Sequence, residues 1–314
     1  MDLVTFGEVM GLLVARPGQP LPQARDFTAG VAGAEATVAI GLARLGHRTG
    51  WFGRVGDDAF GQAALTALRG AGVDVSRADT DPQAPTGMLV RDAHPRRRIT
   101  VQYYRAGSAA SFTAPRHVDP AYVAEARLLH VTGITPALSE SCLEATRAAL
   151  AAAREAGVTV SFDPNVRLRL WSAQRAGELL RELTAGADIV LTSEDEAALV
   201  TGQPDRVKAA AWWRDHGTSL VVVKAGADGA WATDGEQEWT VPALPADVVD
   251  PVGAGDAFDA GFLSGWLDGL PTPECLARGA ACGALSVQAV GDLDGLPYPQ
   301  DLQAALDTRA EVDR

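Results

Sequence analysis

Lysine is almost missing from this 314-residue chain: only Lys208 and Lys224 occur, and arginine carries nearly all the positive charge. Neither lysine stands in G-x-x-x-x-G-K-[ST], which excludes a Walker-type phosphate loop. Cysteine is scarce as well. Cys142, Cys275 and Cys282 lie in alanine-rich, helix-like surroundings without C-x-x-C or metal spacing, and read as small core residues in a reducing compartment. No apolar run reaches the length of a membrane span, and MDLVTFGE enters a strand-like segment without a basic leader, so a cytoplasmic protein is expected. With a net charge of −13 and a pI near 4.8, the chain has no general affinity for nucleic acid or anionic membranes. Any anion it binds needs a local site.

What is present is apolar bulk in a regular order. Hydrophobic residues make up 47% of the chain, enough for a sizeable core. Strand-like and helical patterns alternate from LLHVTG through the helix Glu140–Ala156, VTVSFDPN, a helix around Ala176–Leu183, DIVLTS, a helix after Glu194, and LVVVKAG. Such alternation predicts a mainly parallel sheet covered by helices, with ligands beyond the C-terminal ends of the strands. Ala34–Leu45, Gly50–Val55 and Phe60–Leu68 form earlier units of the same kind. Two segments interrupt the rhythm: 11–31, rich in Pro, Gly and Gln, and 86–112, where TGMLVRD and ITVQYYRAG read as strands joined by the turn AHPRRR. They are expected to lie outside the main sheet. GAWATDGEQEWTV reads as a hairpin and Glu274–Val290 as a helix, and no repeat or linker marks a domain boundary in residues 1–314.

Residues 250–261, DPVGAGDAFDAG, place two glycines and an aspartate where Phe258, Phe262, Leu263, Trp266 and Leu267 announce a helix. Free N–H groups and the positive dipole end make Gly253, Ala254, Gly255 and Asp256 an anion site. Equally, Asp256 caps a core helix and the glycines only turn the chain. Other segments are similarly two-sided. K-x-G-x-x-G at 224–229 suits a nucleotide or a hairpin turn. Glu194, Asp195 and Glu196 in TSEDEA suit a Mg²⁺ with its waters, or a helix dipole. Arg105 in QYYRAG and Arg167 in DPNVRLRLW can fork a carboxylate or phosphate, or be two of many surface arginines. A dinucleotide fingerprint fails, because Phe258 occupies the third small position of GAGDAF.

Taken together and in order, GAEATVAIGLARLGHRTGWFGRVGDDAFG and DPVGAGDAFDAGFLSGWL resemble the two signatures of the ribokinase-like (PfkB) family of sugar kinases, over essentially the whole chain. The resemblance implies one α/β domain with a small β-sheet lid from segments 11–31 and 86–112, and association of copies through that lid. It implies ATP and Mg²⁺ as cofactors, with room for a monovalent cation at DVVDPVGAGD. Asp256 would be the catalytic base, with Gly253, Ala254 and Gly255 as anion hole. Within the family, VAGAE, YYRAGSA, TGITPALS and NVRLRLW resemble 2-keto-3-deoxygluconate kinases, implying a sugar-acid site of Gly33, Tyr103, Arg105, Ile134, Arg167 and Asp256. Ser193, Lys224, Gly226 and Gly229 would line the nucleotide, the 281–290 region would border the adenine, and Glu196 would serve the metal. Thr37, Leu89 and Ser193 depart from the family pattern. GEVMGLL lacks the aspartate that ribokinases and fructokinases use on sugar hydroxyls, which disfavours the alternative of a neutral sugar such as fructose or ribose. The intact GAGD argues against a noncatalytic sugar- or nucleotide-binding relative.

Overall fold

The structure is a computed structural model that describes residues 1–93 and 99–312, with side chains to residue 307 at the C-terminal end. Its strands in chain order are β1 (Leu3–Phe6), β2 (Met10–Ala15), β3 (Phe27–Ala32), β4 (Thr49–Gly56), β5 (Ala78–Asp81), β6 (Met88–Arg91), β7 (Val101–Tyr104), β8 (Leu128–Thr132), β9 (Thr159–Asp163), β10 (Ile189–Ser193), β11 (Leu220–Lys224), β12 (Ala230–Thr233) and β13 (Glu238–Val241). The helices are α1 (Ala34–Arg44), α2 (Ala59–Gly70), α3 (Pro120–Ala124), α4 (Ile134–Leu138), α5 (Glu140–Ala156), α6 (Ala173–Thr184), α7 (Glu194–Thr201), α8 (Arg206–Asp215), α9 (Ala254–Leu267), α10 (Thr272–Ser286) and α11 (Pro299–Val312).

Among the described residues nine strands form one sheet in the order β13-β12-β11-β10-β9-β8-β1-β4-β5, parallel from β11 to β5, with β12 antiparallel to both β11 and β13 at one edge. Both faces are covered, which explains the near-continuous apolar strands. Leu3, Ile189, Leu191 and Val222 turn to one face, where they pack with α1, α2, α9 and α10. Val4, Phe6, Val190, Val221 and Val223 turn to the other, against α5, α6, α7 and α8. The alternation of neighbours along β1, β10 and β11 is the two-residue period of a strand. Cys142, Cys275 and Cys282 are free and buried in helices, as expected.

The two interrupting segments meet in a second, four-stranded sheet of order β3-β2-β6-β7. Register sets Leu12 opposite Leu89 and Leu89 opposite Tyr103, and Met10, Leu12, Val14, Ala32 and Leu89 form its apolar face. The turn expected at AHPRRR falls, for residues 94–98, outside the described residues. Two differences from the sequence reading have plain causes. Strand β5 has no apolar run to announce it; parallel pairing to β4 and the ion pairs of Arg54 with Asp79 and Asp81 hold it at the edge. Helix α10 stops at Ser286 rather than Val290, because the chain beyond turns to meet another loop: the amides of Val249 and Asp250 donate to Val287 O. Among the described residues no helix is long and apolar enough to cross a membrane.

Candidate active site

In the strand order, β1 lies between β4 and β8, so the connections leave in opposite directions on its two sides. The C-terminal ends of parallel strands flank a crevice at such a point. Glu8 follows β1, Ile134 follows β8, Asn165 and Arg167 follow β9, Ser193 ends β10 and Lys224 ends β11. Helix α9 aims its N-terminus into the same crevice.

That N-terminus decides between cap and cradle. The cap residue is Gly253, at φ 83°, and among the described residues no side chain caps the helix. Asp256 sits in the first turn with its carboxylate turned away from the backbone, accepting from Asn165 Nδ2 at 3.0 Å. Among the described residues the amides of Gly253, Gly255 and Asp256 donate to no protein acceptor, while the Ala254 amide reaches Pro251 O at 3.5 Å. The left-handed turn at Gly253 is what leaves these donors facing the crevice. Burial pushes the Asp256 carboxyl up to about 6; Asp163 adds to the rise, and Arg167, Lys224 and the Asn165 hydrogen bond oppose it.

Two cavities meet at this helix end. The smaller, about 80 Å³, is lined by Gly33, Tyr103, Arg105, Ile134, Arg167, Gly253 and Asp256, the sequence-predicted sugar residues brought together, and by Leu89. Thr37 lies instead in the core, fully buried in α1. The larger, about 690 Å³, is lined by Lys224, Gly226, Gly229, Ala254 and Gly255, with Phe258, Gly283, Ala284 and Val287 supplying an apolar wall. A planar base fits such a wall, and the volume is that of a ligand-sized site. Ser193 lines a third cavity, of about 320 Å³, that shares Lys224 with the second.

The charged groups are paired in ways the sequence did not announce. Arg105 forms an ion pair with Glu8, which also accepts from Ser108 Oγ at 2.6 Å; its guanidinium lies 5.3 Å from the Tyr103 ring centre. Glu8 thus puts an acid just after the first strand, where no aspartate stands. Arg167 forms no ion pair among the described residues and donates only to Val166 O, at 3.3 Å. Arg91 is fully buried and paired with Asp250, so the loop expected to admit a monovalent cation carries a guanidinium on its buried acid. Lys224 Nζ donates to Asp163 at 2.9 Å and to Asp259 at 3.0 and 3.1 Å. Burial works against that ammonium, yet the two carboxylates outweigh it and raise its pKa. Glu35 is buried with its carboxyl pushed up to about 7 by burial, although Thr132 and Thr135 donate to it at 2.7 and 2.8 Å. Burial likewise lifts Asp292 to about 7.

Glu196 closes a capping box with Ser193 and also accepts from the amide of Val166 at 2.8 Å, so three protein donors already engage its oxygens. Among the described residues no group of three His, Cys, Asp or Glu can hold a metal. A protein-only metal centre does not fit; a Mg²⁺ that keeps its waters and arrives on phosphates needs none.

The sequence matches the pattern of the pfkB family carbohydrate kinases over residues 1–299. The chain belongs to that family. It is 41% identical to the 2-dehydro-3-deoxygluconokinase of Bacillus subtilis (strain 168), over 99% of this chain and 97% of that protein. It is 39% identical to a fructokinase of Klebsiella pneumoniae, over 98% and 96%. An E. coli protein described as ribokinase II, solved with ATP and Mg²⁺, superposes with a TM-score of 0.92 at 26% identity, covering 98% of this chain and 99% of that one. The protein is therefore a carbohydrate kinase that moves a phosphoryl group from ATP to a sugar alcohol group, in a ribokinase-like fold. In this kinase Glu8, Glu35, Arg91 and Asn165 lie in sequence stretches already singled out but had no role assigned to them, and Asp292 lies in none. A lone acid or arginine inside an apolar stretch, as in FGEVM, GAEATVA and MLVR, was the available signal.

Proposed function

We propose that this kinase phosphorylates the 6-hydroxyl of 2-keto-3-deoxygluconate. The observation that carries the reading is Arg167, a guanidinium without an ion-pair partner among the described residues, lining the same small cavity as Asp256. A substrate carboxylate supplies the missing partner, and a neutral sugar does not. The two relatives above are nearly equal in identity, so the site must discriminate. Arg105 and Tyr103 bound the carboxylate from the second sheet, while Gly33 and Ile134 shape the floor.

Asp256 takes the proton from the attacking hydroxyl, for which a carboxylate titrating near 6 and ionised at neutral pH is suited. Amides of Gly253, Ala254 and Gly255, at the positive end of α9, stabilise charge on the transferring group. When bound, ATP supplies the phosphoryl group from the larger cavity, with Lys224, Gly226, Gly229 and Ser193 beside its phosphates and ribose. Glu196 would serve the accompanying Mg²⁺ through water, since its own oxygens are engaged. The second sheet acts as a lid of a single domain spanning the chain, supported by Met10, Arg91, Val101 and Tyr103 lining the sugar cavity. Its exposed Phe27 and Tyr104 suit pairing of copies through the lid, which sedimentation velocity tests.

A second reading, a neutral sugar such as fructose, is favoured by Glu8, an acid after the first strand that lines the same cavity and is able to hold hydroxyls. ADP release with ATP and Mg²⁺ separates the two. Preference for 2-keto-3-deoxygluconate over fructose and ribose at matched concentrations is expected; preference for fructose would reassign Arg167 and give the sugar hydroxyls to Glu8.

A further inference from the structure

A chain of polar contacts runs from the nucleotide side of the crevice to Asp256. Lys224 holds Asp163 Oδ2, and the same oxygen accepts from Asn165 Nδ2 at 3.2 Å. Asn165 Nδ2 gives its second hydrogen to Asp256 Oδ1 at 3.0 Å, and the Asn165 backbone amide donates to Asp163 Oδ1 at 2.9 Å. Both amide hydrogens therefore end on carboxylates. Turning the amide over would set its oxygen against two anions, so its orientation is dictated by charge.

The backbone at this residue is unusual too. Asn165 is 5% exposed and has φ 38°, the one positive value at a non-glycine position among the described residues. A short polar side chain tolerates that region, but the conformation persists only where surroundings over-determine it, and such residues cluster at active sites. Here Asp163 engages both the main-chain and side-chain nitrogens of Asn165, which supplies that determination.

We propose that Asn165 is a positioning residue for the catalytic step: it pins Oδ1 of Asp256 and leaves Oδ2 as the oxygen that receives the hydroxyl proton. The assignment rests on Asp256 being the base. Asp256 Oδ2 accepts from no protein donor among the described residues, so one oxygen is anchored and the other is open to substrate. Proton transfer needs heavy atoms within about 2.6–3.2 Å, and a carboxylate free to rotate meets that condition less often. The contact also favours the ionised form of Asp256, against the burial that disfavours it.

Asn165→Gly is the decisive variant, because glycine keeps the positive φ while the amide is lost. The expected result is a kcat lower by roughly 10- to 100-fold, the range of a misplaced reacting group, with the sugar KM little changed. The acid limb of the kcat/KM profile should move to higher pH. Asn165→Asp, which sets a carboxylate against Asp256, should move it further in the same direction. A lower melting temperature with kcat and the acid limb unmoved in Asn165→Gly would mean a structural role only and would overturn the proposal. Asp256→Asn is measured beside them. Retained turnover there would remove the base and this inference together, whereas an inactive Asp256→Asn with an unshifted Asn165→Gly limb would overturn the positioning role alone.

Discussion

Asp256 suits the proposed role of base through its surroundings rather than its residue type. A solvated aspartate titrates near 3.9 and is a weak base at neutral pH. Burial in the crevice pushes this one up to about 6, where it binds a proton more readily yet stays ionised at pH 7. The ionised form is the reactive one, so kcat/KM is expected to fall as pH drops through about 6, and a profile flat down to pH 5 would contradict the assignment. Asp256→Asn is expected to lose about 10²- to 10⁴-fold in kcat while calorimetry still detects ATP binding. The two arginines should separate. Arg167→Ala, which breaks no ion pair among the described residues, should raise the KM for the sugar acid and leave the melting temperature nearly unchanged. Arg105→Ala also strands the buried Glu8, so it should lose about 3 kcal/mol of stability along with affinity.

At the N-terminal end of α9 the proposed mechanism assigns the charge stabilisation to an element rather than to a side chain. Its amides are available because Gly253 holds φ at 83°. Alanine there would have to adopt a left-handed conformation that costs an L-residue about 1–2 kcal/mol. Gly253→Ala is expected to lower urea stability by that amount and to reduce kcat as the cradle relaxes. The loop before α9 is tied to strand β6 by Arg91 and Asp250, a pair with both side chains fully buried. Arg91→Met leaves Asp250 without its partner, and a loss of about 3–5 kcal/mol is expected by the same assay. The start of α9 was legible to within a residue or two, since the glycines and the apolar period are local signals. The end of α10 was not, because the contacts of Val249 and Asp250 with Val287 stop it, and these join residues from different elements.

Across the whole molecule, the nine-stranded sheet and the four-stranded sheet bring two cavities together at one helix end, and they bury several acids in doing so. Glu35 is raised to about 7 from an ordinary value of 4.5. Between those values the folded protein keeps a proton that the unfolded chain has released, so this contribution to stability falls as pH rises through the window. Glu35→Gln removes it. Relative to the parent, the variant's unfolding free energy is expected to rise by about 2–3 kcal/mol between pH 5 and pH 8, and parallel curves would show that Glu35 titrates normally.

Fold class, the alternation of strands and helices over the middle of the chain and the glycine turn that opens α9 were determined by the sequence, because strand period, helix period and glycine turns act over a few neighbouring residues. The signatures around GAEATVA and DPVGAGD were legible for the same reason. Only the tertiary structure decided which charges meet. Asn165 and Asp256 are 91 positions apart, Arg91 and Asp250 are 159, and Glu8 and Ser108 are 100. Sheet order and burial set those distances, and burial then made partners obligatory: a charge removed from water is tolerated where an opposite charge or a hydrogen-bond donor is within reach.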